Sequence, residues 1–180
     1  MFVYKIDEEL SLKLVNHSDA EELFQLTDGS RDHLRAWLPW IDKTTEVTHT
    51  KDYIKMSKKM YAEDKGLNCV VLYRGEICGV AGFNELDWTN KIAYIGYWLG
   101  EGFTGKGIMT RAAGALTDYA IGELGMNKVD IRAAEGNSAS RGVPERLGFT
   151  QEGRIRCAEW LYDHYVDHIV YGMLKNEWKK

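Results

Sequence analysis

Between residues 100 and 107 the chain reads Gly-Glu-Gly-Phe-Thr-Gly-Lys-Gly, and a helical pattern begins immediately afterwards. Glycines in such a turn let the backbone reverse tightly and approach a ligand closely. The N–H groups of the first helical turn lack internal partners, and they sit at the positive end of the helix dipole. Together these features make an anion site, and a phosphate or pyrophosphate is its natural occupant. A loop that merely turns the chain is the plainer alternative, and it has no need of so many glycines.

Two nucleotide motifs match this stretch by letter. Gly100, Gly102 and Gly105 satisfy G-x-G-x-x-G, and Gly100 to Lys106 satisfies most of G-x-x-x-x-G-K-[ST]. The triphosphate reading fails at Gly107, where a hydroxyl should ligate magnesium. The dinucleotide reading fails on topology, because the preceding strands form hairpins and not the uniformly apolar first strand of a parallel sheet. Glu135 also lies farther on than the usual acidic residue about 20 positions downstream.

Other reactive side chains give no pattern. Cys69, Cys78 and Cys157 are odd in number and widely spaced, so neither a disulfide framework nor a zinc site is expected. His17, His33, His49, His164 and His168 show no ligand pair in a helical context, and no metal is expected.

The elements around the turn follow from hydrophobic periodicity. Leu10 to Val15 alternates as a half-buried strand. Ser18, with Glu21 three residues on, reads as a capping box that starts a helix over 19–26. Helical stretches are expected at 32–38, stopping at Pro39, and at about 49–63. Leu67–Tyr73 and Glu76–Phe83, joined by Arg74-Gly75, read as a hairpin, and Ile92–Leu99 adds a third strand. After the glycine turn, Ile108, Ala112, Leu116 and Tyr119 share one helix face. A strand at 129–133, a short helix at 137–147 closed by Gly148, and strands at 149–159 and 165–174 complete the order. This is an α+β pattern with one parallel crossover.

The 180 residues are 44% hydrophobic, which suits one domain spanning 1–180. The net charge of -4 argues against nucleic acid as a partner. The N-terminus lacks signal-peptide character, and no apolar run approaches the roughly 20 residues of a membrane span. A soluble, cytoplasmic protein is expected, and exposed aromatics such as Trp88 are compatible with a homo-oligomer.

The stretch from Ile92 to Phe149 resembles the acetyl-CoA core of the GNAT superfamily of N-acetyltransferases. Gly102 to Gly107 occupies the family signature [QR]-x-x-G-x-[GA], with Gly102 replacing the Gln or Arg. Within that superfamily the chain is most similar to the RimJ/RimL-like branch, which acetylates N-terminal amines of ribosomal proteins. Ile95–Leu99, Gly105–Thr110, Asn137–Ser140 running into Val143–Phe149, and Arg35–Trp40 carry the likeness, which covers nearly the whole chain.

The resemblance implies a mixed, mostly antiparallel sheet flanked by helices, with acetyl-CoA as cosubstrate. Backbone amides of Thr104, Gly105, Lys106, Gly107, Ile108, Met109 and Thr110 would hold the pyrophosphate. The strands at 92–99 and 128–133 would splay, and the pantetheine arm would pair with the strand edge near Trp98 and Leu99. An amide there would stabilise the oxyanion. Asn137 matches a position that bonds the pantetheine, and it also reads as a helix N-cap. Ser140 matches a candidate acid for the leaving thiolate, or is a helix-surface serine. Glu159 matches the proposed base, or is a paired structural carboxylate. Trp37 and Trp40 wall the acceptor pocket or simply pack, Glu85 and Asp87 after the meander strand are reserve candidates for the base, with Glu85 also set at the acceptor, and Lys106 adds charge or is a solvated loop lysine. The expected acceptor is a protein N-terminal amine. The alternatives are a small amine such as a polyamine, amino acid or antibiotic, and a non-catalytic CoA-binding module.

Overall fold

The structure is a computed structural model that describes residues 3–179. Its centre is one eight-stranded sheet in the order β1-β2-β3-β4-β5-β6-β8-β7. The strands are β1 (Val3–Lys5), β2 (Leu10–Leu14), β3 (Leu67–Tyr73), β4 (Glu76–Asp87), β5 (Ile92–Leu99), β6 (Lys128–Ala134), β7 (Thr150–Leu161) and β8 (His164–Leu174). Every neighbouring pair is antiparallel except β5–β6, which is parallel. The parallel pair requires a crossover, and the helix α4 (Ile108–Gly122) supplies it. The expected α+β, mostly antiparallel architecture is therefore the observed one.

The β3–β4 hairpin turns on Arg74 and Gly75, at φ +52° and +89°. Positive φ at both central residues gives the primed turn that matches strand twist. β4 runs to Asp87, past the expected end at Phe83, because a bulge between Phe83 and Glu85 lets the ladder with β5 resume. β1 has no counterpart in the sequence reading; three exposed residues carry no detectable alternation.

Helices cover both faces of the sheet. On one face α4 buries Ile108, Met109, Ala112, Ala113, Leu116 and Ala120 against Ile95, Val129 and Ile131. The alanines let the helix backbone sit close to the strands. Truncating Leu116 at its centre to Ala would cost about 2–5 kcal/mol. On the other face α1 (Ala20–Gly29) and α3 (Val47–Ala62) pack Leu23 and Ile54 against Val70, Ile77 and Val80. The short helices α2 (Arg31–Arg35) and α5 (Ser138–Arg146) flank the region where β5 and β6 end.

The start of α1 differs from expectation. Asn16 and Asp19, not Ser18 and Glu21, form the capping box, on a short 3-10 turn over His17–Asp19. Asp19 also receives the Lys13 ammonium in a buried ion pair. Pairing with a strand lysine fixes the earlier register, which no local motif announces.

Candidate functional site

The glycine turn has the geometry of an anion cradle. Gly105 and Gly107 take φ +76° and +68°, a left-handed conformation that penalises any residue with a Cβ. Gly107 is the N-cap of α4, and no side chain caps the helix there. The amides of Ile108, Met109 and Thr110 begin the helix and have no intrahelical partner. The carbonyls behind them are occupied: Arg111 Nε and Nη2 donate to Gly107 O (3.4 Å) and Lys106 O (3.5 Å). Arg111 Nη1 is held in turn by Asp7 Oδ2 at 2.7 Å. Oxygens are thus drawn to one side and amides left on the other. Lys106 is exposed, and its Nζ sits 5.5 Å from the Tyr73 ring centroid and 5.6 Å from that of Phe103. Arg146 of α5 donates to Thr110 Oγ1 at 3.0 Å and brings a second cation to the first turn of α4.

Upstream of the cradle the sheet opens. β5 and β6 pair only from Ile92↔Lys128 to Ile95↔Ile131. β5 continues on β4 as far as Gly79↔Leu99, while β6 continues on β8 as far as Ala134↔His168. Gly96–Leu99 therefore has a strand on one side and a gap on the other. Gly100 N donates to Cys78 O at 2.8 Å. By the alternation of an antiparallel ladder, the peptide groups of Trp98 then face β4, and those of Tyr97 and Leu99 face the gap. Trp98 contributes its side chain instead, set edge-on to Trp40 with ring centroids 6.0 Å apart.

A cavity of about 880 Å³ occupies the gap and the space beyond it, lined by residues of both sheet faces. Tyr97, Asn137 and Ser140 lie in its wall. Asn137 is the N-cap of α5, its Oδ1 accepting the Ser140 amide at 3.2 Å, so the capping alternative is realised. The Tyr97 hydroxyl donates to the Ser140 carbonyl at 2.8 Å and lies 3.5 Å from Ser140 Oγ. Burial pushes the Tyr97 phenol up to about 12, so it stays protonated at neutral pH. Ser140 is thus a cavity residue backed by a phenol.

At the far end Trp37 and Trp40 line the cavity. Their loop is tied down: Arg35 is bidentate to Asp42 at 2.9 Å and stacks 3.8 Å over Tyr162, whose hydroxyl donates to Leu38 O. Glu159 lines the cavity too, its Oε1 3.9 Å from His168 Nε2.

Glu85 does not line the cavity. The bulge in β4 turns Asn84 inward instead, against Gly96, where any side chain would collide with the Asn84 carboxamide. The sequence reading also missed Asp130, Arg132 and His168, all in the lining. Asp130 is buried, and Arg132 Nε donates to it at 3.2 Å. Burial raises the Asp130 carboxyl above its ordinary range, with Arg132 opposing. Its signal was present: Val129, Ile131 and Ala133 alternate with Asp130 and Arg132, so the strand's second face is polar, with Asp130 buried and Arg132 exposed. Asn84 carried no such signal, because bulges leave none. Trp88 is only partly free, since its indole N–H donates to Asp64 O at 2.6 Å.

Comparison with known proteins gives the following. The family model for the acetyltransferase (GNAT) domain matches residues 9–150. YdaF of Bacillus subtilis (strain 168) is 37% identical over 180 residues, covering 99% of this chain and 98% of its own length. Among solved structures, RimL, the ribosomal L7/L12 α-N-protein acetyltransferase in complex with coenzyme A, superimposes with TM-score 0.92 at 28% identity, over 96% of this chain and 98% of that one. The microcin C7 self-immunity acetyltransferase MccE, in complex with acetyl-CoA and AMP, gives TM-score 0.90 at 31% identity, with 94% of each chain covered.

Proposed function

The chain belongs to the GNAT acetyltransferase family, and from that premise we propose that it moves an acetyl group from acetyl-CoA to the N-terminal α-amine of a ribosomal or other protein. One observation carries the proposal: the gap that opens between β5 and β6 holds a cavity lined by a carboxylate, Glu159, and β5 leads from that gap straight into the uncapped helix N-terminus of α4. RimL, so similar in fold, is named for α-N-acetylation of a ribosomal protein.

In this reading the amides at 104–110 take the pyrophosphate. The free edges of Tyr97 and Leu99 take the pantetheine as an added strand, and one amide there faces the thioester oxygen. Gly102, where the family signature has Gln or Arg, removes a side chain and leaves the backbone contacts intact. The acceptor enters past Trp37 and Trp40. Its free amine attacks the thioester carbon, the C–S bond breaks, and an amide and a thiol result. Glu159 accepts the proton that nitrogen loses, directly or through water, and His168 beside it steadies the carboxylate. Ser140, whose hydroxyl lies against Tyr97, passes a proton to the departing thiolate and regains one through water from the proton that Glu159 has taken, so the amine's proton ends on the thiol. The whole reaction sits in one domain.

The likeness to MccE, a self-immunity acetyltransferase, favours a second reading in which the acceptor is a small amine. Self-association belongs to the proposal as well. Trp160 and Tyr165 form an edge-on pair at 4.9 Å and are 53% and 60% exposed, more than Trp88 at 38%. No helix among the described residues is long and apolar enough to cross a membrane, and a ribosomal acceptor would set the enzyme in the cytoplasm.

The test is turnover. Purified protein with acetyl-CoA is offered peptides bearing ribosomal N-termini, then polyamines, amino acids and amine antibiotics, with CoA release and product mass recorded. Acetylated peptide at the α-nitrogen supports the first reading, and turnover confined to small amines supports the second. Acetyl-CoA binding without turnover on any amine leaves a CoA-binding module.

A further inference from the structure

β7 does not run straight to Glu159. Its ladder with β8 breaks between Ile155, opposite His168, and Glu159, opposite Val166. Residues 156–158 therefore bulge out against a single residue of β8, Asp167. Within the bulge Cys157 takes φ +49°, a left-handed conformation disfavoured for a residue with a Cβ. Something must hold it there.

Asp167 does so with both carboxylate oxygens. Oδ1 accepts the Cys157 amide at 2.7 Å, and Oδ2 accepts Arg154 Nε at 2.7 Å and a second contact from Arg154 Nη2. Arg154 Nη1 reaches on to Glu135 Oε1 at 3.0 Å, and the Asp167 carbonyl accepts the Glu135 amide at 2.9 Å. The side chain is only 18% exposed. The Cys157 amide, and after it Arg154, hold the carboxyl below the usual range, so it is ionised at neutral pH. Ala158, the last residue of the clamped bulge, and Glu159 after it enter the cavity wall.

Register explains why this matters. A ladder continued regularly from Ile155↔His168 would set Glu159 opposite His164 instead of Val166. That is a slip of two residues, about 7 Å along the strand. Glu159 would leave His168 and the cavity. We propose that Asp167 is a positioning residue for acetyl transfer: by clamping the bulge of β7 it sets the register that delivers Glu159 to the acceptor amine. The inference rests on the reading of Glu159 as the base.

The experiment is a double-mutant cycle on the full chain with the best acceptor found above. Asp167→Ala lowers kcat about tenfold or more and leaves acetyl-CoA affinity by calorimetry within about twofold. Asp167→Asn keeps an acceptor for the Cys157 amide and recovers part of the loss. In the Glu159→Gln background, Asp167→Ala causes no further loss, because the group it positions is already gone. The kcat–pH profile of Asp167→Ala also loses the limb that Glu159→Gln removes. If Asp167→Ala does not fold, Arg154→Gln, which deletes one arm of the clamp, gives a smaller loss with the same non-additivity. Losses that multiply, or an equal fall in acetyl-CoA affinity, overturn the inference and leave the function standing. Full activity in Glu159→Gln alone removes Glu159 as base, and the positioning role with it. A wild-type protein that acetylates no amine defeats the functional reading itself.

Discussion

The glycine turn before α4 and the bulge in β7 are both irregular backbone, built in opposite ways. The turn places left-handed conformations on Gly105 and Gly107, with no side chain capping the helix, so its amides are bare. The bulge places one on Cys157, which carries a Cβ, and holds it with the Asp167 carboxylate. In the proposed function one device presents the backbone to a ligand, and the other uses the backbone to aim a side chain. Ligand charge that is constant, as on a diphosphate, suits fixed amides. Chemistry that needs a proton moved suits a titratable group on an adjustable strand.

The largest expected effect separates the two ends. Glu159→Gln should lower kcat about 100-fold at neutral pH, in the lower part of the range for a lost general base, with acetyl-CoA affinity unchanged. The deficit should shrink as pH rises through about 8, where the α-amine becomes its own free base. Rates of CoA release across pH check both statements; a deficit that is constant with pH breaks the assignment. The reciprocal change is Gly107→Val. A β-branched residue in a left-handed N-cap strains the turn by roughly 1–2 kcal/mol and crowds the amides. Acetyl-CoA should bind about 10-fold to 100-fold more weakly by calorimetry, with kcat at saturation near wild type. If instead acceptor KM changes and acetyl-CoA binding does not, the turn is not the cosubstrate grip.

The same contrast explains what the sequence revealed. The turn is legible because its chemistry is contiguous: Gly105, Lys106 and Gly107 lie between a strand and a helix, and that spacing alone implies an anion site. The meander of β3, β4 and β5, the single parallel crossover and α4 were equally readable from alternation and helical spacing. The acceptor end is assembled from β4, β6, β7, β8 and the loop after α2, so no local pattern gathers it. There bulges decide which residue enters. One residue of slip exchanged Glu85 for Asn84, and Glu159 faces the cavity only because the bulge at 156–158 shifts its register. Likewise the capping box fell on Asn16 and Asp19, on the 3-10 turn before α1, where Lys13 of the preceding strand pairs with Asp19.

A smaller effect probes the junction between the two ends. Ser140→Ala should lower kcat about fivefold near neutral pH. The loss should vanish above about 8.5, where a departing thiol leaves as thiolate without help. A loss that persists at pH 9.5 would point to a packing role for the hydroxyl that lies 3.5 Å from Tyr97.

The smallest effect concerns what the side-chain end costs the fold. Asp130 is 4% exposed, with Arg132 Nε at 3.2 Å, and burial outweighs that partner in raising its carboxyl. A carboxyl whose folded value lies above the unfolded one, about 3.9, binds protons more tightly when folded. Its penalty is absent below the unfolded value, grows as pH rises through the folded one, and is fully present at pH 7. Asp130→Asn, of the same shape and uncharged, should therefore keep or raise Tm at pH 7 by a few degrees and match wild type at pH 3.5. Thermal scans at the two values decide it. A lower Tm at pH 7 would mean that the Arg132 pair outweighs desolvation, and that this end of the cavity, like the amide cradle, places its chemistry without burdening the fold.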